Sequence, residues 1–167
     1  MKIGIIGAGN IGSALARHFG NLKRTVRIAN SRGPETLSQI AKDTGATPVA
    51  ISDVAEGADL LVVTIPVKNV PSLPRDLLLK LPSKSPILDT DNYYPLRDGV
   101  IDGIGADMTE SEWTSSILGR PVIKVLNNIT ADSLLHKGMP EWHEGPHCTS
   151  GIGGGYRCEE ARNRAAG

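Results

Sequence analysis

Three glycines, Gly7, Gly9 and Gly12, follow the apolar run Ile3, Ile5 and Ile6 in the spacing G-x-G-x-x-G. A β-branched run of this kind suits a strand buried on both faces, and the glycines suit a sharp turn into a helix. Each glycine has a distinct use. Gly7 permits the turn, Gly9 has no side chain to hold a pyrophosphate away from the backbone, and Gly12 lets the helix pack closely on the strand. With Ala8, Asn10 and Ile11 between them, they would offer a dinucleotide the free amides and positive dipole end of a helix. A merely structural glycine turn is the alternative. The context favours the nucleotide: Ile11, Leu15 and Phe19 follow at four-residue steps, and a second strand, Val26-Arg27-Ile28-Ala29, arrives at the expected distance.

The end of that second strand selects between cofactors. An NAD site usually places Asp or Glu there to bind the ribose hydroxyls. Here Asn30 stands in its place, followed by Ser31 and Arg32. Asn30 has no charge to repel a phosphate, and Arg32 can make paired, charge-assisted bonds to a ribose 2′-phosphate, with Ser31 as a further donor. NADP is therefore expected over NAD. The alternative for Arg32 is a solvated surface arginine.

The elements that must hold these residues follow in order. Gly33-Pro34-Glu35 reads as a helix start, and the helix should run toward Thr44 with Leu37, Ile40 and Ala41 inward before Gly45 ends it. Pro48-Val49-Ala50 reads as a third strand, Ser52 to Glu56 as a capped helical turn, and Leu60 to Ile65 as the next buried strand. Thr64, Ile65 and Pro66, at its end, fall where a doubly wound sheet holds the nicotinamide half of a dinucleotide. Pro66 could equally serve only to stop the strand. Pro71 and Pro74 confine the next helix to Arg75–Leu81. Ile87-Leu88-Asp89 and Val122 to Leu126 supply the fifth and sixth strands. This rhythm predicts a Rossmann-like doubly wound α/β fold, a mainly parallel sheet of about six strands with helices on both faces. Asp89 and Asp91 could be offered as paired carboxylates, but at a strand end they read better as hydrogen-bonded loop formers.

The whole chain is consistent with one domain. It has 167 residues, 40% apolar and 22% charged, and eighteen basic residues balance eighteen acidic ones. That balance favours neither nucleic acid nor an anionic membrane. The apolar residues after Lys2 are interrupted by glycines and followed by Arg17 and His18, so no export signal is read. No segment approaches the roughly 20 apolar residues of a membrane helix. Cys148 and Cys158 form no disulfide framework, and a cytoplasmic location is expected.

With the glycine turn, Ser31-Arg32, Thr64-Ile65-Pro66, Asp89-Thr90-Asp91-Asn92 and the run Val122-Ile123-Lys124-Val125-Leu126-Asn127-Asn128-Ile129 in view, the chain resembles the NADPH-dependent reductases of the deazaflavin coenzyme F-420. The likeness extends over residues 1–139. It implies hydride transfer between NADPH and coenzyme F-420 or a flavin-like ring as co-substrate, a small-molecule hydride acceptor. Such chemistry needs proximity and orientation more than side-chain catalysis. No catalytic residue is assigned. By resemblance, Gly9 to Gly12, Ser31, Arg32, Ile65, Asn92 and Val125 would contact the dinucleotide, and a homodimer is in keeping with the family. A reductase of a small imine or carbonyl compound would need a proton donor that the sequence does not offer. A dinucleotide-binding module without turnover, whether a redox sensor or a remnant, is the alternative from a different class.

Residues 140–167 change character, with Ile152 their only aliphatic residue larger than alanine. The resembled family continues here with a further strand, a helix and a closing segment. His143, His147, Cys148 and Cys158 match no common zinc spacing, so no metal is expected. Gly151-Ile152-Gly153-Gly154-Gly155 follows no strand and precedes no Lys-Ser/Thr, so it reads as a poorly ordered tail rather than a phosphate loop. A shifted reading frame or a truncation after about Met139 would account for the change, and would leave the sixth strand with an uncovered apolar edge.

Overall fold

The computed structural model describes residues 1–105 and 108–137, so the expectations for the tail fall outside the described residues. Six parallel strands form one sheet: β1 (Lys2–Ile6), β2 (Thr25–Ala29), β3 (Thr47–Pro48), β4 (Leu60–Val63), β5 (Ile87–Asp89) and β6 (Ile123–Lys124). Their order is β3-β2-β1-β4-β5-β6. The chain thus winds outward from β1 in one direction, then crosses back and winds outward in the other. The doubly wound α/β fold read from the sequence is the fold observed.

Period-two alternation divides the core between the two faces of the sheet. Ile3 and Ile5 of β1, Val26 and Ile28 of β2 and Val62 of β4 share one face, where Leu15 and Ala16 of helix α1 (Asn10–Asn21) cover them. Helix α2 (Ser38–Thr44) packs beside α1, and Ile40 joins the same cluster. Ile6, Leu61, Val63 and Ile87 point the other way, against Val54, Ala55, Leu73, Leu77 and Leu81. The cover on this second face comes largely from residues in or just after 3-10 turns, at Ile51–Asp53 and Leu77–Lys80, with Leu73 just after Val67–Ser72. Prolines explain why: Pro71 lies inside one turn and Pro74 just after it, and neither can support a continuous i→i−4 ladder.

Several sequence-based boundaries are corrected. The second helix begins as a 3-10 turn at Pro34–Leu37 before turning α-helical. The third strand ends at Pro48, because Ala50 already caps the 3-10 turn that follows, and Ser52 to Glu56 has no side-chain cap. Arg75 to Leu81 is helical only over Leu77–Lys80. The sixth strand is two residues long rather than five, since Leu126 adopts φ 59°, a left-handed conformation that extended pairing does not allow.

Three short helices complete the described chain. α3 (Pro95–Asp98) and α4 (Glu110–Leu118) lie between β5 and β6, and α5 (Ala131–His136) returns to pack on α1. Thr109 and Glu112 form a reciprocal capping box at the start of α4, and Trp113 packs with Val67 and Val70. His18 Nε2 lies 2.7 Å from the Leu134 carbonyl oxygen, tying α1 to α5. The sheet ends at β6, where Ile123 is half-exposed. No described helix is long and apolar enough to cross a membrane.

The centre of the sheet should be the least tolerant of change. Ile5 is fully buried, so Ile5→Ala should lower unfolding free energy by about 2–5 kcal/mol in urea titration. Exposed Leu79 is the control, and Leu79→Ala should stay within about 0.5 kcal/mol of the parent.

Candidate functional site: the cleft at the strand crossover

The strand order reverses between β1 and β4, which is where doubly wound sheets open a crevice at the carboxyl ends of their strands. Gly7 leaves β1 with φ 107°, and its amide donates to the Ala29 carbonyl at 2.8 Å. A Cβ on Gly7 would overlap the Thr64 carbonyl, and one on Gly12 would overlap the Gly7 carbonyl. The turn is therefore wedged between the end of β4 and the first turn of α1. Gly9 differs: among the described residues, a Cβ there would meet no atom within 4 Å. It caps α1 with no side-chain hydrogen bond. The first turn, Asn10 to Gly12, thus presents amides and positive dipole with no acidic residue of its own and no side-chain cap among the described residues.

A cleft of about 420 Å³ lies in front of this helix end, and Gly7, Ala8 and Gly9 line it. Asn30, Ser31 and Arg32 line it on the β2 side. Asn30 spends its side chain on the loop itself, accepting from the Arg32 amide at 3.0 Å and donating to Thr36 Oγ1 at 2.9 Å. This brace leaves Ser31 and Arg32 exposed. The Arg32 guanidinium makes no ion pair among the described residues. Thr64, Ile65 and Pro66 close the β4 side.

Nine of the sequence-selected residues thus line one cleft, with Asn10, Ile11 and Gly12 at the head of α1 beside it. Asn92 and Val125 stand apart from its lining, on the same edge of the sheet. Asn92 donates to the Asn127 carbonyl at 3.0 Å, and the Val125 amide donates to the Asp89 carbonyl at 2.9 Å. Sequence reasoning missed Ile51, Asn69, Ser72 and Leu73, which also line the cleft. Ile51, Asn69 and Ser72 come from 3-10 turns and Leu73 directly follows one, and such side chains follow neither the helical nor the strand period.

It also missed the chemistry next to the cleft. Asp89 and Asp91 are hydrogen-bonded loop residues as expected, and both are also buried. Lys124, itself buried, places its Nζ 3.2 Å from Asp89 Oδ2 and 3.0 Å from Glu110 Oε2. Asp89 Oδ1 accepts from the Asp91 amide at 2.9 Å. Burial, partly offset by Lys124, raises the Asp89 carboxyl above its ordinary range. Burial and then the neighbouring Asp89 charge push Asp91 up to about 8. Farther along the same loop, Arg97 forks onto Asp98 at 2.9 and 2.7 Å and holds its carboxyl below the usual range.

Among the described residues, no group of three or more His, Cys, Asp and Glu side chains could hold a metal. His143, His147, Cys148 and Cys158 lie outside the described residues.

The fold is of the Rossmann-like doubly wound α/β class, and comparison with known proteins makes the class particular. Residues 2–93 match the family described as NADP oxidoreductase, coenzyme F420-dependent, and the chain belongs to that family. Among solved structures it is similar to a hypothetical protein of Sinorhizobium meliloti, with 28% identity and a TM-score of 0.65. That match covers 81% of this chain and 65% of the other, so the chain spans less than two thirds of that relative's length. A protein of Arthrobacter sp. FB24 described as an F-420-dependent NADP reductase aligns over 99% of this chain and 78% of its own. Its identity is 21% and its TM-score 0.70. An imine reductase of Myxococcus stipitatus in complex with NADP+ shares the fold at 20% identity and a TM-score of 0.58, over 80% of this chain and 43% of that one. No curated protein matches.

The different surroundings of the glycines give a direct test. Gly9→Ala should fold at a cost of about 1 kcal/mol or less, the size of a helix-cap change, while dinucleotide affinity falls at least about tenfold because the new methyl occupies the approach to the helix amides. Gly12→Ala should instead lose stability, since its methyl must displace the Gly7 carbonyl. Paired thermal melts and binding titrations check both.

Proposed function

We propose that this chain binds NADPH in the crossover cleft and transfers its hydride to a deazaflavin, coenzyme F-420, or to a flavin-like ring. The observation that carries the reading is the uncapped start of α1 at Gly9, open to a cleft whose far side presents Ser31 and Arg32. The amides of Gly9 to Gly12 would take the pyrophosphate, and Ser31 and Arg32 the 2′-phosphate. Ile65 and Pro66 would lie along the nicotinamide half. Bound NADPH supplies the hydride. The protein's share is to hold the dinucleotide against the sheet edge and keep one face of the ring toward the acceptor.

The lining supports this division of labour. Its polar side chains are Asn30, Ser31, Arg32, Thr64, Asn69 and Ser72, none of which is a general acid in its ordinary range. Among the described residues of these walls, a reductase that must protonate an imine or carbonyl product finds no carboxylic acid or imidazole to donate the proton. Hydride transfer to a ring that can draw its proton from solvent has no such need.

The test is oxidation of NADPH by the full chain, followed by absorbance, with coenzyme F-420, FMN, a ferric chelate and a cyclic imine as separate acceptors and NADH in parallel. The expected result is turnover with a deazaflavin or flavin and none with the imine. Tight NADPH binding with no turnover on any acceptor would instead identify a binding module, and turnover confined to the imine would overturn the proposed acceptor class.

A further inference from the structure

Beneath the β4 wall of the cleft lies a group that the hydride chemistry does not use. Asp91 follows β5 by two residues and is 5% exposed. It lies beside Ile65, a residue that lines the cleft by the glycine turn: Ile65 and Asp91 each stand two residues beyond the paired positions Val63 and Asp89, and the Ile65 backbone N–H favours the charged form of the carboxyl. Asp91 Oδ2 is buried and has no hydrogen-bond partner among the described residues. The carboxyl therefore sits one residue behind the cleft surface, at the place where the nicotinamide half is proposed to lie.

The charged groups around it are Asp89 on β5, Lys124 on β6 and Arg97 on α3, with Glu110 of α4 reached through Lys124. Lys124 is already shared between the Asp89 and Glu110 carboxylates. An ionised Asp91 would be a third carboxylate around that one buried ammonium. The neutral acid suits the cluster better, and the value of about 8 follows from burial and from Asp89. A positive charge arriving on the other side of Ile65 would reverse that preference. The two redox forms of the dinucleotide differ in this respect: the oxidised nicotinamide ring is a cation and the reduced ring is neutral, while the phosphates are the same in both.

We propose that Asp91 is a positioning residue whose proton is coupled to the redox state of the bound dinucleotide, retained beside the neutral reduced ring and released to solvent beside the cationic oxidised ring. The inference rests on the reading of the cleft as an NADP site with its nicotinamide end at Ile65. Linkage fixes the direction. If the oxidised form favours the ionised carboxyl, then ionisation favours the oxidised form by the same factor. The affinity for NADP+ relative to NADPH must therefore rise with pH as Asp91 titrates. The 2′-phosphate ionises in both forms and cancels from the ratio.

The experiment measures both affinities for the full chain by calorimetry between about pH 6.5 and pH 9.5, with buffers of different ionisation enthalpy to count protons. The expected NADP+/NADPH affinity ratio rises roughly tenfold across that range, as for unit charges about 10 Å apart at an effective dielectric near 20. Protons should leave on binding NADP+ at pH near 8 but not on binding NADPH. Asp91→Asn should bind both forms with a pH-independent ratio, which a merely structural role would not produce. A flat ratio in the parent chain, with both forms bound, overturns the proposal and leaves the NADP site standing. That measurement decides even if Asp91→Asn does not fold. Failure to bind either form would overturn the reading of the cleft itself, and this proposal with it.

Discussion

The structure depends on how closely the backbone after β1 approaches its neighbours. The Gly7 backbone lies against the Thr64 carbonyl, and Gly12 lies against the Gly7 carbonyl, with no room for a side chain at either contact. These contacts fix the angle at which α1 leaves the sheet, and so the direction in which its first amides point. β1 is held on both sides, by β2 and by β4, in parallel register over most of its length. The turn therefore stands on the most constrained strand of the fold, and the ends of β2 and β4 bring Ser31, Arg32 and Ile65 to the same crevice. Preorganisation of this kind is what a reaction with little side-chain chemistry requires.

A second constraint acts at the other half of the sheet edge. Burying Asp89, Asp91 and Lys124 together is expensive unless the charges satisfy one another. Lys124 satisfies two carboxylates and leaves Asp91 with a backbone amide on one side and an unpartnered oxygen on the other. Well-packed apolar residues would fill such a space at less cost. A charge cluster directly behind the cleft wall, rather than in the general core, gives that cost a use: it makes the wall's electrostatics respond to what lies against it.

Much of the lining of the candidate site was legible in the sequence because its signals are local. The run Ile3, Ile5, Ile6 and the three glycines specify strand, turn and helix within twelve residues, and Asn30-Ser31-Arg32 occupies a position that the turn itself determines. The parallel, doubly wound character of the sheet followed from the alternation of strands and helices. What stayed hidden depends on contacts distant in sequence or on conformations without a period. Ile51, Asn69 and Ser72 reach the cleft from 3-10 turns and Leu73 from directly after one. Asp91 becomes a buried acid through its own burial and the neighbouring Asp89, while Lys124, which would favour its charged form, is already shared between Asp89 and Glu110. The sixth strand looked longer than it is because Val122, Val125 and Leu126 are apolar, while Leu126 adopts a positive φ that no composition signal announces.

The central claim is that the glycine turn and the Ser31-Arg32 loop form one site for a 2′-phosphorylated dinucleotide. Its most direct test is equilibrium titration of the parent chain and of Arg32→Ala with NADPH and with NADH at fixed ionic strength. The account predicts NADPH bound more tightly by the parent, a loss of roughly tenfold to a hundredfold in NADPH affinity on removing the guanidinium, as for a charge-assisted pair, and little change for NADH. Equal affinity of the parent for both dinucleotides, or a preference that survives Arg32→Ala, would contradict it.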